Sequence, residues 1–167
     1  MGFLAILPQA GDTIQKNTVL VVDDDRAILE STQAILESAG YAVQTAETAR
    51  DAIRKAKSDW FDIALLDIKL PDMEGTELLK QLQEIKPRMI KIMVTGSASL
   101  DNAIQSVNLG ANAYIVKPFN PADLLQVIDE KLKERRAAER IDEDNVTDFI
   151  EARLQKLETL HSLEEKR

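Results

Sequence analysis

The stretch Phe61-Asp62-Ile63-Ala64-Leu65-Leu66-Asp67-Ile68-Lys69-Leu70-Pro71-Asp72-Met73-Glu74-Gly75 decides the fold. Ile63 to Leu66 is an unbroken apolar run of strand length. A strand covered on both faces reads this way, and such strands belong to parallel sheets flanked by helices. Asp67 ends the run, and Pro71 and Gly75 turn the chain toward a helix. A carboxylate carried by a buried strand to the carboxyl edge of an open sheet sits where ligands collect in that architecture.

Working outward, the same grammar repeats. Val19 to Val22 is a β-branched strand that stops at Asp23-Asp24-Asp25. A helix follows, carrying Ile28, Leu29, Ile35, Leu36 and Ala39, and Gly40 closes it. Asp25 suits the cap or first turn of that helix. Tyr41 to Ala46 predicts a second strand, and Thr48 caps a helix with Ala49, Ala52, Ile53 and Ala56 on one face. After Gly75 comes a third helix (Leu78, Leu79, Leu82), then strands over Met89 to Val94 and Ala113 to Val116 around a helix closed by Gly110. Pro121 starts a fifth helix, with Leu124, Leu125, Val127, Ile128 and Leu132 inward.

Alternating strands and helices imply βαβ crossovers, hence an α/β fold: a doubly wound, five-stranded parallel sheet of flavodoxin-like order 2-1-3-4-5. That order makes the first and third strands neighbours. It gathers Asp23, Asp24 and Asp67 at one edge, where Thr95 and Lys117 also arrive.

Composition narrows the class. The 167 residues suit one domain plus extensions, and 44% hydrophobic with 30% charged residues suffices for a core. With no cysteine, disulfides and thiolate metal sites are excluded. A net charge of −8 disfavours nucleic acid or an anionic membrane as the main partner. The short apolar run Phe3-Leu4-Ala5-Ile6-Leu7 resembles neither a membrane span nor a basic-led secretory signal, so a cytoplasmic protein is expected.

Three crowded carboxylates repel, and burying them is costly without a cation. An all-oxygen donor set points to Mg²⁺ or Mn²⁺ in preference to Zn²⁺. Mg²⁺ is commonly completed by a phosphate oxygen, and a Lys ammonium and a Thr hydroxyl partner the remaining phosphoryl oxygens. A metal-neutralised Asp can act as nucleophile to give an aspartyl phosphate. No Gly-rich phosphate loop is present, so the donor should be something other than bound ATP.

Val21-Val22-Asp23-Asp24, Leu66-Asp67 with Leu70-Pro71-Asp72-Met73-Glu74-Gly75, Val94-Thr95-Gly96 and Tyr114-Ile115-Val116-Lys117-Pro118-Phe119 together resemble the receiver domain of two-component response regulators. The match covers residues 17–135, leaving an N-terminal extension (1–16) and a C-terminal helical extension (136–167). The resemblance implies a stand-alone, chemotaxis-regulator-like receiver in which Asp67 takes a phosphoryl group from a phosphohistidine of a sensor histidine kinase. Asp24, Asp67 and the Lys69 backbone carbonyl would bind Mg²⁺ directly, and Asp23 through a metal-bound water. Lys117 would pair with Asp67 and then with the phosphoryl oxygens. Thr95 would move toward the phosphoryl group, with Tyr114 changing rotamer in concert. Ser97 and Lys69 occupy positions that tune phosphate lifetime, and a cis peptide is implied between Lys117 and Pro118. Such a protein is no enzyme beyond its own phosphorylation and dephosphorylation. The rival is a Mg²⁺-dependent phosphohydrolase resembling the haloacid dehalogenase type. That family places a second Asp two residues after its nucleophile, where this chain has Lys69.

The tail reads as a charged helix to Arg140, an acidic break at Asp142-Glu143-Asp144-Asn145, and a further helix with the apolar stripe Val146, Ile150, Leu154, Leu157 and Leu160. It is too short for a DNA-binding output domain, and His161 is expected to be exposed. The stripe either packs back on the receiver or a twin subunit, making a homodimer, or docks an unknown downstream protein.

Overall fold

The computed structural model describes residues 16–96 and 99–164. The N-terminal apolar run and Ser97 lie outside the described residues. Five strands alternate with five helices: β1 (Thr18–Val22), α1 (Arg26–Ser38), β2 (Ala42–Ala46), α2 (Ala49–Ser58), β3 (Ile63–Leu66), α3 (Gly75–Ile85), β4 (Ile90–Thr95), α4 (Leu100–Asn108), β5 (Ala113–Val116) and α5 (Pro121–Glu164). All strand pairs are parallel, in the order β2-β1-β3-β4-β5. The predicted α/β architecture and strand order are those of the molecule.

Burial explains the order. Every residue of β3 and β4 is buried, and β1 is buried from Val19 onward, as strands sandwiched between helix layers must be. β2, at an edge, alternates between exposed and half-buried positions until Ala46. Leu20, Val22, Ala64, Leu66 and Met93 join Ala49, Ala52 and Ala56 of α2 and Leu78, Leu79 and Leu82 of α3 in one apolar cluster.

Local chemistry sets the helix ends. Asp25 is the N-cap of α1, its Oδ1 accepting from the N–H groups of Ala27 (2.9 Å) and Ile28 (3.4 Å). Thr48 caps α2 by accepting from Asp51 N–H at 3.1 Å. Gly40 and Gly110, just beyond α1 and α4, adopt φ of +94° and +101°, the left-handed geometry that ends helices on glycine.

The expected acidic break is absent: α5 is one helix of 44 residues through positions 142–145. Between residues 122 and 164 the chain has neither Pro nor Gly, the residues that break helices. Pairs one turn apart, including Lys133–Asp129 at 2.7 Å and Arg135–Glu139 at 3.7 Å, suit a solvated helix. Of the residues predicted to face inward, Leu124, Ile128 and Leu132 are buried, whereas Leu125 and Val127 are half-buried. Val146, Ile150, Leu154 and Leu157, residues of the predicted stripe, are exposed; of Leu160 only the backbone is described. The chain divides into two compact units inside α5, between Leu125 and Gln126.

Candidate functional site

The sheet itself places the carboxylates. Val22 of β1 pairs with Leu66 of β3, so the next residues, Asp23 and Asp67, emerge side by side. The ladder continues one step past the strands: Asp67 N–H donates to Val22 O at 3.0 Å, and Asp23 N–H to Ala46 O at 3.1 Å. Across β4, Lys117 N–H donates to Thr95 O at 2.9 Å, which holds the Lys at the same edge. Carboxylate oxygens of Asp23, Asp24 and Asp67 lie within 4.8 Å of one another. Asp24 is exposed, whereas Asp23 is 4% and Asp67 9% exposed.

Lys117 bridges the cluster. Its Nζ donates to Asp23 Oδ2 and, at 3.3 Å, to Asp67 Oδ2, so Asp23 is an additional and closer partner beside the predicted Asp67. Asp23 Oδ1 accepts from Asp25 N–H at 2.9 Å. Burial raises the Asp23 carboxyl above its ordinary range, and the Lys117 ammonium and Asp25 N–H only partly offset this. All three candidate ligands are hard carboxylate oxygens, with room for them to converge on one ion and one of them open to solvent. Such a donor set fits a divalent ion that keeps waters.

Thr95 is 1% exposed, at the end of β4. Tyr114, half-buried on β5, packs against the apolar cluster, and its desolvation raises the phenol. The peptide between Lys117 and Pro118 is cis, as the sequence pattern implied.

The β3–α3 loop is tied down at three points. The backbones of Lys69 and Glu74 pair in an isolated antiparallel β-bridge, and Gly75 N–H donates to Ile68 O at 2.5 Å. Asp72 accepts from Ala49 N–H and Arg50 N–H, both at 2.9 Å, at the start of α2. The sequence marks Asp72 only as a turn residue, because its two partners lie 22 and 23 residues away. Also unforeseen is Lys91, fully buried on β4, whose Nζ donates to Gln83 Oε1 (2.7 Å) and Met89 O (2.8 Å). A groove of about 390 Å³ opens beside Lys117, walled mainly by Ile28, Ile35, Pro118 and Phe119.

Comparison with known proteins agrees with this geometry. The chain is 54% identical to a CheY-like response regulator receiver domain protein from Methanospirillum hungatei, matching 74% of this chain and 98% of that one with a TM-score of 0.72. It is 33% identical to the chemotaxis protein CheY4 of Vibrio cholerae, over 69% and 98% of the two chains, with a TM-score of 0.65. Among curated proteins it is 32% identical to the alginate biosynthesis transcriptional regulatory protein AlgB of Pseudomonas syringae, over 78% of this chain but 29% of that one. With the alkaline phosphatase synthesis transcriptional regulatory protein PhoP of Bacillus subtilis, it shares 36% identity over 64% of this chain and 44% of the relative. The chain thus spans less than half the length of these curated relatives. The response regulator receiver domain family matches residues 19–129, and the chain belongs to that family.

Proposed function

We propose that this chain is a phosphorylation-controlled switch in which Asp67 accepts a phosphoryl group from a phosphohistidine of a sensor kinase and the output is a change in protein contacts. The observation that carries the reading is the Asp23–Asp24–Asp67 cluster with Lys117 shared between two of its members. Asp67 Oδ would attack phosphorus while the bond to the imidazole nitrogen breaks, and that nitrogen leaves with the electron pair. Asp24, Asp67 and the Lys69 carbonyl would hold Mg²⁺, with Asp23 acting through water; the ion supplies charge neutralisation at the transferring group. Lys117 would then exchange Asp67 for a phosphoryl oxygen, and Thr95 would donate its hydroxyl to another.

The new charge and acceptor oxygens bias the positions of Thr95 and Tyr114, shifting the population between two packings. The apolar groove beside Lys117 suits a protein donor better than a soluble nucleotide. We read the chain as catalysing only its own phosphorylation and dephosphorylation. Its output runs through an unidentified partner protein rather than DNA, given the acidic balance, and it works in the cytoplasm. No described helix is long and apolar enough to cross a membrane.

Binding of beryllofluoride, a phosphoryl mimic, tests the reading. Calorimetry should give binding that requires both Mg²⁺ and Asp67 and is lost in Asp67→Asn. Sustained turnover of simple phosphomonoesters by the wild-type chain would instead make it a phosphohydrolase.

A further inference from the structure

The β3–α3 loop runs from Asp67 through Lys69, whose carbonyl is a metal ligand in the reading above. Its base is closed by the backbone bridge between Lys69 and Glu74 and by Gly75 N–H donating to Ile68 O. Leu70 and Met73, farther along it, pack against the apolar cluster. Apolar packing is non-directional, so it holds the loop down without fixing how its peptide groups are turned. Asp72 supplies direction. Its Oδ1 accepts from Ala49 N–H and its Oδ2 from Arg50 N–H, both at 2.9 Å.

The start of α2 shows what this contact completes. The N–H groups that open a helix have no acceptor one turn earlier within it. Thr48 Oγ1 accepts from Asp51 N–H at 3.1 Å, which serves one of the three groups at residues 49–51. The other two, on Ala49 and Arg50, are those that Asp72 takes. A carboxylate there also meets the positive end of the helix dipole. Any turn of the loop that lifts Asp72 away strips both N–H groups of their acceptors, so the setting of the loop and the first turn of α2 are linked.

We propose that Asp72 is a positioning residue for the metal site: by latching the β3–α3 loop to the first turn of α2 it sets the Lys69 carbonyl for Mg²⁺, a role that rests on the Mg²⁺-dependent reading given above. Linkage is reciprocal. If release of the latch weakens Mg²⁺ binding by some factor, bound Mg²⁺ disfavours release by the same factor.

NMR titration of the full chain with Mg²⁺ tests one direction, at about 0.5 M salt, where a remote charge is screened. Asp72→Ala should raise the Mg²⁺ Kd about tenfold, the lower end of the usual cost of losing a residue that orients a metal ligand. Thr48→Ala, which removes the acceptor of Asp51 in the same turn, should bind Mg²⁺ as wild type does. Hydrogen exchange on the wild-type chain tests the other direction and needs no variant. Saturating Mg²⁺ should slow exchange at Ala49 and Arg50 about tenfold, the same coupling read in reverse, and at Asp51 by less. Circular dichroism confirms that both variants are folded. Wild-type affinity in Asp72→Ala, an equal loss in Thr48→Ala, or exchange at Ala49 and Arg50 that Mg²⁺ slows no more than at Asp51 overturns the proposal while leaving Mg²⁺ binding itself intact. A wild-type chain that binds no Mg²⁺ overturns both the latch and the Mg²⁺-dependent reading beneath it.

Discussion

Gly75 shows how closely single residues are constrained around Asp67. A Cβ there would lie 1.9 Å from the Asp67 carbonyl oxygen and 2.7 Å from Ile68 Cα, both backbone atoms that cannot swing away. Gly75→Ala should therefore cost at least the roughly 1–3 kcal/mol of ordinary overpacking. Thermal melts should show the loss, and Mg²⁺ titration should show weakened binding as the loop carrying Lys69 is pushed out. An alanine variant as stable as wild type would mean that the loop is not held this tightly. Lys91 makes a different case. Desolvation lowers its amine from 10.5 to about 8. Between these values the unfolded chain holds a proton that the folded chain has released, so stability rises with pH across that window. Melting temperature followed from pH 8 to 10.5 should rise relative to Lys91→Met; parallel curves would contradict the assignment.

At the scale of elements, the β3–α3 loop and α2 act as one piece through Asp72. Slight desolvation would raise this carboxyl, but the N–H groups of Arg50 and Ala49 outweigh it and hold it below the ordinary carboxylate range. Its stabilisation is present above that range and lost as pH falls through the lowered value. Asp72→Ala removes an N-terminal acceptor from α2 and should cost about 1 kcal/mol, the usual worth of a capping side chain. Urea unfolding checks this, and an unchanged midpoint would show that water replaces the carboxylate at no cost. Asp72 also shows where reading the chain fails. Asp25 and Thr48 were legible as caps because their partners are two or three residues away, whereas the role of Asp72 depends on tertiary approach. Lys91 was hidden for the same reason: a Lys inside an apolar strand names neither Gln83 nor the carbonyls that accept from it. The acidic segment at 142–145 stays helical because charge alone does not break a helix, and no Pro or Gly stands there.

At the scale of the whole molecule, sheet order and the acid edge were readable because four of the five strands end at a chemically marked residue: Asp23, Asp67, Thr95 and Lys117. Register then does the rest: once Val22 pairs with Leu66, the two carboxylates have to meet. The first unit holds this edge, and the second, from Gln126 on, is a charged helix with one apolar face. A phosphoryl group bound among three carboxylates adds charge where repulsion is already high, so its retention should depend on the cation and on Lys117. Lys117→Ala should leave Mg²⁺ binding largely intact yet lower phosphoryl transfer by about 10²-fold or more, the usual cost of losing a transition-state charge partner. Stopped-flow phosphorylation by a small phosphodonor measures this, and a rate equal to wild type would exclude Lys117 from the transfer.

The most direct measurement is intact mass after reaction with acetyl phosphate and Mg²⁺, followed by peptide mapping. One phosphoryl adduct is expected, labile to hydroxylamine, located on Asp67, absent without Mg²⁺ and absent in Asp67→Asn. An adduct on another residue, or one of undiminished yield in Asp67→Asn, would contradict it.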